Sequence, residues 1–408
     1  MISVEVINNK TITDVPYFKA SGIHIGLRKK EKKDLCVIYS EKKAVAAGVF
    51  TKNKVKAAPV IVDMNHIGSR NTQAIVVNSG YANSCTGSKG IEDAYEMARV
   101  TADCLGLKPE EVLVASTGRI GVSLPMDKVI PGIRCGCSEL SYDGGKDAEE
   151  AILTTDTFTK SIFVELNIDN RKVYIGGIAK GSGMVHPNMG TILGFIASNI
   201  NITKEMLTKA LKDSVTDSYN MISVDGDTST NDMAIVLANC TAGNNLIDQE
   251  NSQYYKFKEA LDFVNKELSK MIAKDGEGAT KLIEISLKGA RSKEDARICA
   301  KSVISSSLVK SAFFGSDANW GRIMCSLGYS GADFTPQKVD IVFKNNSGTI
   351  MVVNKGAAAI FNKQLVEEIL KRDYVNILID LNDGIHDAVA WGCDLTYDYV
   401  KINGYYWT

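Results

Sequence analysis

The stretch Gly181–Ala197, GSGMVHPNMGTILGFIA, changes character at one residue. Up to Gly190 it is polar and glycine-rich, and it contains Met184, Pro187 and Asn188. Beyond Thr191 it runs apolar through Ile192, Leu193, Phe195 and Ile196, as a buried strand does. A hydroxyl at the head of such a strand must find a hydrogen-bond partner or do chemical work. Two readings follow. In one, a loop feeds a core strand and Thr191 bonds to neighbouring backbone. In the other, the chain is cut between Gly190 and Thr191, and Thr191 becomes a new N-terminus and a nucleophile.

The second reading has a chemical rationale. A threonine hydroxyl is a weak nucleophile, but the α-amine of an N-terminal threonine has an ordinary pKa of about 7.7–8.0 and can take the hydroxyl proton itself. The chain has four histidines and no Ser/His/Asp arrangement in a known order, so a base that needs no histidine suits it. Gly190 leaves the scissile carbonyl uncrowded.

Composition narrows the class. The 408 residues suffice for two domains or one large two-part fold, and 45% hydrophobic with 23% charged residues is ordinary for a globular protein. A formal net charge of −1 gives no electrostatic reason for a nucleic-acid partner. No apolar run reaches the length of a membrane span, and the N-terminus does not read as a secretory signal, so a cytoplasmic protein is expected. The nine cysteines and four histidines show no metal spacing, so no metal is expected.

The pattern predicts an α/β fold, a layered sandwich of mixed β-sheets and helices. Strands are expected at 44–50, 59–63, 73–80, 111–116, 161–168, 172–179, 191–198, 233–240, 283–289 and 374–380, with shorter ones near 339–343 and 349–353. Helices are expected at 90–105, 146–153, 203–217, 252–273, from Ser292 onward, and near 363–371. The C-terminal stretch AWGCDLTYDYVKINGYYWT alternates like a half-buried strand. Linker candidates are Ser138–Gly145 and Thr241–Asn251.

Other stretches carry candidate chemistry. STGRIG (116–121) puts a hydroxyl at Thr117 and an approachable backbone N–H at Gly118 at a strand end, as an oxyanion site requires; the plainer alternative is a strand-to-helix turn. GGIAKGSG (176–183) matches neither nucleotide-loop pattern. DGDTSTND (225–232) lacks the spacing of a calcium loop and reads as a hydrogen-bonded turn. Glu277 in DGEGAT is an acidic finger suited to a cationic substrate, or a surface turn.

Taken in order, VNSGYANSCTG, VLVASTGRIGVSLPMDKV, TTDTF, KGSGMVHPNMGTILGFIA, SVDGDTSTND, KDGEGATK, FFGSDANWGRI and AWGCDLTYDYVKIN resemble the ornithine acetyltransferase / N-acetylglutamate synthase family of arginine biosynthesis across nearly the whole chain. The resemblance implies self-cleavage into an α chain, 1–190, and a β chain, 191–408, assembled as an α2β2 heterotetramer. It implies Thr191 as nucleophile, with Thr117 and Gly118 stabilising the oxyanion. Substrate contacts carry over to Thr154, Lys180, Thr191, Glu277, Asn403 and Thr408. The implied reaction is ping-pong transfer of acetyl from N2-acetyl-L-ornithine to L-glutamate through an acetyl-threonine, with no cofactor. Acetyl-CoA is the donor for some such enzymes, and these residues do not decide between the two. Water in place of glutamate would make the same site an aminopeptidase or amidase. Tyr81, Arg119, His186, Gly190 and Trp407 depart from the family pattern.

Overall fold

Alternation along the strands Leu35–Ser40, Ala74–Tyr81 and Val112–Arg119 divides their side chains between two faces. Cys36, Ile38, Ile75, Val77, Leu113 and Ala115 point into one core cluster, and Leu35, Val37, Ala74, Val76, Val112 and Val114 into another. A sheet that is apolar on both faces must be covered on both, and that requirement sets the layering. The computed structural model describes residues 4–28, 31–69, 71–186 and 192–405.

The chain forms two units: Met1–Gly181, Asn188–Tyr219 and Thr228–Leu268; and Ser182–Pro187, Asn220–Asp227 and Ser269–Thr408. In the first unit a four-stranded sheet, in the order Phe18–Ile23, Leu35–Ser40, Ala74–Tyr81, Val112–Arg119, packs on a six-stranded sheet. The six-stranded order is Glu5–Val6, Lys160–Ile168, Arg171–Lys180, Leu193–Ser198, Met233–Ala238, Val45–Phe50. Leu193, Phe195 and Ala197 join Ile38, Val77 and Leu113 in the core between the sheets. Burying a side chain such as Phe195 completely contributes about 1.5–3 kcal/mol.

Helices Gly87–Leu105 and Met126–Ser138 cover the outer face of the four-stranded sheet through Met97, Ala98, Val129 and Ile133. On the outer face of the six-stranded sheet lies helix Ser252–Lys274, where Gly177 leaves room for Val264 and Leu268. This unit is therefore a four-layer helix–sheet–sheet–helix sandwich. The second unit is built on a seven-stranded mixed sheet containing Leu282–Ala290, Tyr374–Asp380 and His386–Cys393, against which helix Lys293–Ser305 packs. As its sequence implies, Ser292 caps that helix, accepting from the Asp295 N–H at 3.0 Å.

Two segments differ from expectation. Residues 59–63 are not a strand; they lie in the helix Ala58–His66, with Pro59 in its first turn. Tertiary bonds decide the matter: Asp63 Oδ1 accepts from Val114 N–H at 2.7 Å, and His66 Nδ1 bonds the Val112 carbonyl at 2.8 Å. The C-terminal stretch is a strand only as far as Cys393. It then becomes the helix Tyr397–Gly404, capped by Thr396 accepting from Tyr399 N–H at 3.2 Å. Each unit takes residues from both sides of Gly190–Thr191.

Candidate active site

Thr117 and Gly118 lie at the end of the strand Val112–Arg119, paired with Ser79 and Gly80. Gly118 has φ +133°, and a Cβ there would lie 2.6 Å from both the Gly80 carbonyl oxygen and the Tyr81 nitrogen. Only glycine fits. The ladder is irregular at this point, with Tyr81 opposite both Thr117 and Arg119.

Buried amides hold the strand ends. Asn231 donates to the carbonyls of Ala82 at 2.5 Å and Ser116 at 2.8 Å, while Thr230 donates to Asn231 Oδ1 at 2.6 Å. Ser116 Oγ donates to Asn78 Oδ1 at 2.6 Å. Two of the residues that depart from the family pattern turn out to be partners: the Arg119 guanidinium stacks 4.8 Å from the centre of the Tyr81 ring.

Contacts run from Gly118 to Lys180 within the first unit. A Cβ on Gly80 would lie 3.3 Å from the Arg28 side chain. Arg28 donates to the carbonyls of Leu153 at 2.9 Å and Thr154 at 2.7 Å. The Asp156 carboxylate then accepts from Thr154 N–H at 3.0 Å, Gly181 N–H at 2.8 Å and Lys160 Nζ at 2.8 Å, with Lys180 Nζ at 3.6 Å. Burial pushes the Asp156 carboxyl up, but Lys180 and Lys160 together outweigh it and hold the group below the usual carboxylate range. Lys160 and Lys180 thus bring two ammoniums to one buried carboxylate, and an ammonium suits a substrate carboxylate.

Lys180 pairs with Leu193 across the sheet, so the strand that leaves at Lys180 is rejoined two residues after Thr191. Ile192 is buried, and its carbonyl accepts from Met233 N–H at 2.8 Å. Gly190, Thr191 and Thr408 lie outside the described residues.

In the second unit Glu277 is 7% exposed and accepts from Asn403 Nδ2 at 2.8 Å. Its own N–H donates to the Ser182 carbonyl at 2.9 Å. A Cβ at Gly183 would lie 2.5 Å from Glu277 Oε1, so glycine is what lets the carboxylate cover this backbone. An anion with one amide donor suits an ammonium. The structure thus links Thr117, Gly118, Thr154 and Lys180 in one unit and joins Glu277 to Asn403 in the other.

Sequence reasoning missed Arg28, Asp156, Lys160 and Asn231. Asp156 and Lys160 stand in and beside TTDTF, but a buried charge cluster leaves no periodic trace. Among the described residues no group of three His, Cys, Asp or Glu is placed to hold a metal, and no helix is long and apolar enough to cross a membrane.

The model of the ArgJ family matches residues 19–408. The chain belongs to the ArgJ family. Among ArgJ relatives, the arginine biosynthesis bifunctional protein ArgJ 1 of Clostridium acetobutylicum is 61% identical over 406 residues, spanning 100% of both chains. The bifunctional ArgJ of Caldanaerobacter subterraneus is 52% identical, covering 96% of this chain and 97% of its own. A crystal structure of ornithine acetyltransferase with ornithine from Mycobacterium tuberculosis is 36% identical, covers 46% of this chain and 99% of its own, and superposes with a TM-score of 0.43.

Proposed function

We propose that this ArgJ-family chain is a glutamate N-acetyltransferase that moves acetyl from N2-acetyl-L-ornithine to L-glutamate through an acetyl-Thr191 ester. Water is first added across the Gly190–Thr191 peptide bond, leaving a carboxylate on Gly190 and a free α-amine on Thr191. That amine takes the Thr191 hydroxyl proton as the oxygen attacks the acetyl carbonyl. Thr117 and the Gly118 N–H receive the oxyanion, and ornithine leaves with the proton on its amine. The glutamate amine then attacks the ester, giving N-acetylglutamate and restoring the threonine hydroxyl.

The register of Lys180 against Leu193 carries this reading. In sequence, Thr191 stands two residues before Leu193, the strand partner of Lys180. The Lys180 ammonium suits the substrate α-carboxylate, and Glu277 with Asn403 suits the ornithine side-chain ammonium. Thr154 and Thr408 complete the proposed contacts.

The relatives' names speak of arginine biosynthesis and of two functions, and we assign acetyl-CoA as the second acetyl donor. We also assign a cytoplasmic α2β2 assembly with no metal or resident cofactor. The test is Thr191→Ala protein assayed with N2-acetylornithine and glutamate. Loss of N-acetylglutamate formation is expected, and retained transfer would overturn the reading. Acetate as the dominant product of the wild type would instead make the chain an amidase.

A further inference from the structure

Thr154 stands in an irregular stretch of the first unit, between the helix Gly145–Ala151 and the strand Lys160–Ile168. Backbone outside helices and strands is held in place by whatever bonds its N–H and C=O groups. For Thr154 two side chains do so. Asp156 accepts from its N–H at 3.0 Å, and the Arg28 guanidinium donates to its carbonyl at 2.7 Å and to the Leu153 carbonyl at 2.9 Å. A guanidinium is a rigid planar fork, so bonds to two successive carbonyls set the orientation of this backbone as well as its position.

Arg28 is in turn fixed beside the strand end that carries Gly80. The fully buried Asp34 carboxylate accepts from the N–H groups of Ile25 at 2.7 Å, Leu27 at 2.7 Å and Arg28 at 3.1 Å. The Asp34 carbonyl accepts from Ser79 N–H at 2.9 Å, one residue before Gly80. Gly80 has φ +107°, and a Cβ there would lie 3.1 Å from the Leu27 oxygen and 3.3 Å from Arg28 Cγ. The bare α-carbon is therefore what lets the arginine stem lie against the strand end, and Gly80 is the ladder partner of Gly118. A second tie runs parallel to the first: Ser79 Oγ donates to the Ala151 carbonyl at 2.8 Å. Arg28 thus reaches from the backbone beside Gly80 and Gly118 to the carbonyl of Thr154, entirely within the first unit.

We propose that Arg28 is a positioning residue for acetyl transfer: it holds Thr154 in register with Gly118, so that a substrate whose acetyl carbonyl is met at Gly118 also reaches the Thr154 hydroxyl. This rests on the reading of Thr154 as a substrate contact. Arg28 acts through the backbone of Thr154 and touches no reacting atom.

The test is a double-mutant cycle on kcat/KM for N2-acetylornithine, measured per cleaved molecule with glutamate as acceptor. Arg28→Met keeps an unbranched stem and removes the fork; Thr154→Val keeps the shape and removes the hydroxyl. Melting temperatures are recorded for each variant. Arg28→Met is expected to lose about 5- to 10-fold in kcat/KM, carried mainly by a higher KM, and Thr154→Val at least as much. Because Arg28 acts through Thr154, adding Arg28→Met to Thr154→Val lowers kcat/KM no further, whereas a general structural role would multiply the two losses. Arg28→Lys, which bonds one carbonyl at a time, falls between Arg28→Met and the wild type.

Wild-type kcat/KM in Arg28→Met overturns the proposal, and so do losses that multiply in the double variant. If Arg28→Met does not fold, the same cycle run with Arg28→Lys decides: a loss that vanishes in the Thr154→Val background supports the role, and any other result overturns it. Thr154→Val with wild-type kcat/KM overturns the substrate-contact reading together with this one. A loss in Thr154→Val with none in the Arg28 variants overturns this inference alone.

Discussion

Gly118→Ala tests the oxyanion site at the point where the backbone leaves least freedom. The added Cβ would lie 2.6 Å from the Gly80 oxygen and the Tyr81 nitrogen, against an ordinary contact of about 3.5 Å. The Gly80 carbonyl carbon is closer still, so the two strand ends must part by more than about 0.9 Å, or Gly118 must leave its φ of +133°. Either movement withdraws the Gly118 N–H from the developing charge. Losing one such donor costs about 2.7–4 kcal/mol of transition-state stabilisation, or roughly 10²- to 10³-fold in kcat. The assay is steady-state N-acetylglutamate formation per cleaved molecule, with a thermal melt to show that the fold survives. In the proposed reading the Gly118 N–H meets charge that develops only in the transition state, so the loss belongs in kcat rather than in KM. Gly118→Ala protein with wild-type kcat would refute the oxyanion assignment.

Other predictions follow from buried groups. Asn231→Ala removes the donor to two buried carbonyls, at Ala82 and Ser116, and each unsatisfied acceptor costs about 1–3 kcal/mol; a stability loss of about 2–6 kcal/mol in denaturant unfolding is expected. His186 is held down to about 4, by burial first and then by the charges of Lys301 and Lys310. The unfolded chain therefore takes up this proton before the folded chain does, and stability falls as pH drops from about 6.5 toward 4. His186→Gln flattens that part of a stability-versus-pH curve, and an unchanged slope would contradict the environment described for His186.

The sandwich was readable where periodicity is strong. The run Leu193–Ser198 and the helical stripe Phe257, Leu261, Val264 and Leu268 fall where their patterns put them. The helix Ala58–His66 was not readable, because Val60, Ile61 and Val62 read equally well as a strand, and the deciding bonds to Val112 and Val114 lie about fifty residues away. At the C-terminus, alternation through Tyr397 and Tyr399 read as a strand, whereas Thr396 accepts from Tyr399 N–H and starts a helix. Of the candidate site, Thr117–Gly118 showed as a polar turn ending an apolar strand. Asp156 did not show, because its role comes from two lysines folded against it, one of them, Lys160, with its side chain entirely enclosed. Asp225 read only as part of a turn, and that is its local geometry; its hold on Met184 and Val185 spans forty residues of sequence.

The central claim is that Thr191 becomes an N-terminus. Intact mass with N-terminal sequencing of the purified protein tests it most directly. The account predicts two fragments, 1–190 and 191–408, the second beginning Thr191–Ile192–Leu193, and a Thr191→Ala chain that remains whole. A single active chain of 44.2 kDa, or a fragment beginning at any other residue, would contradict it.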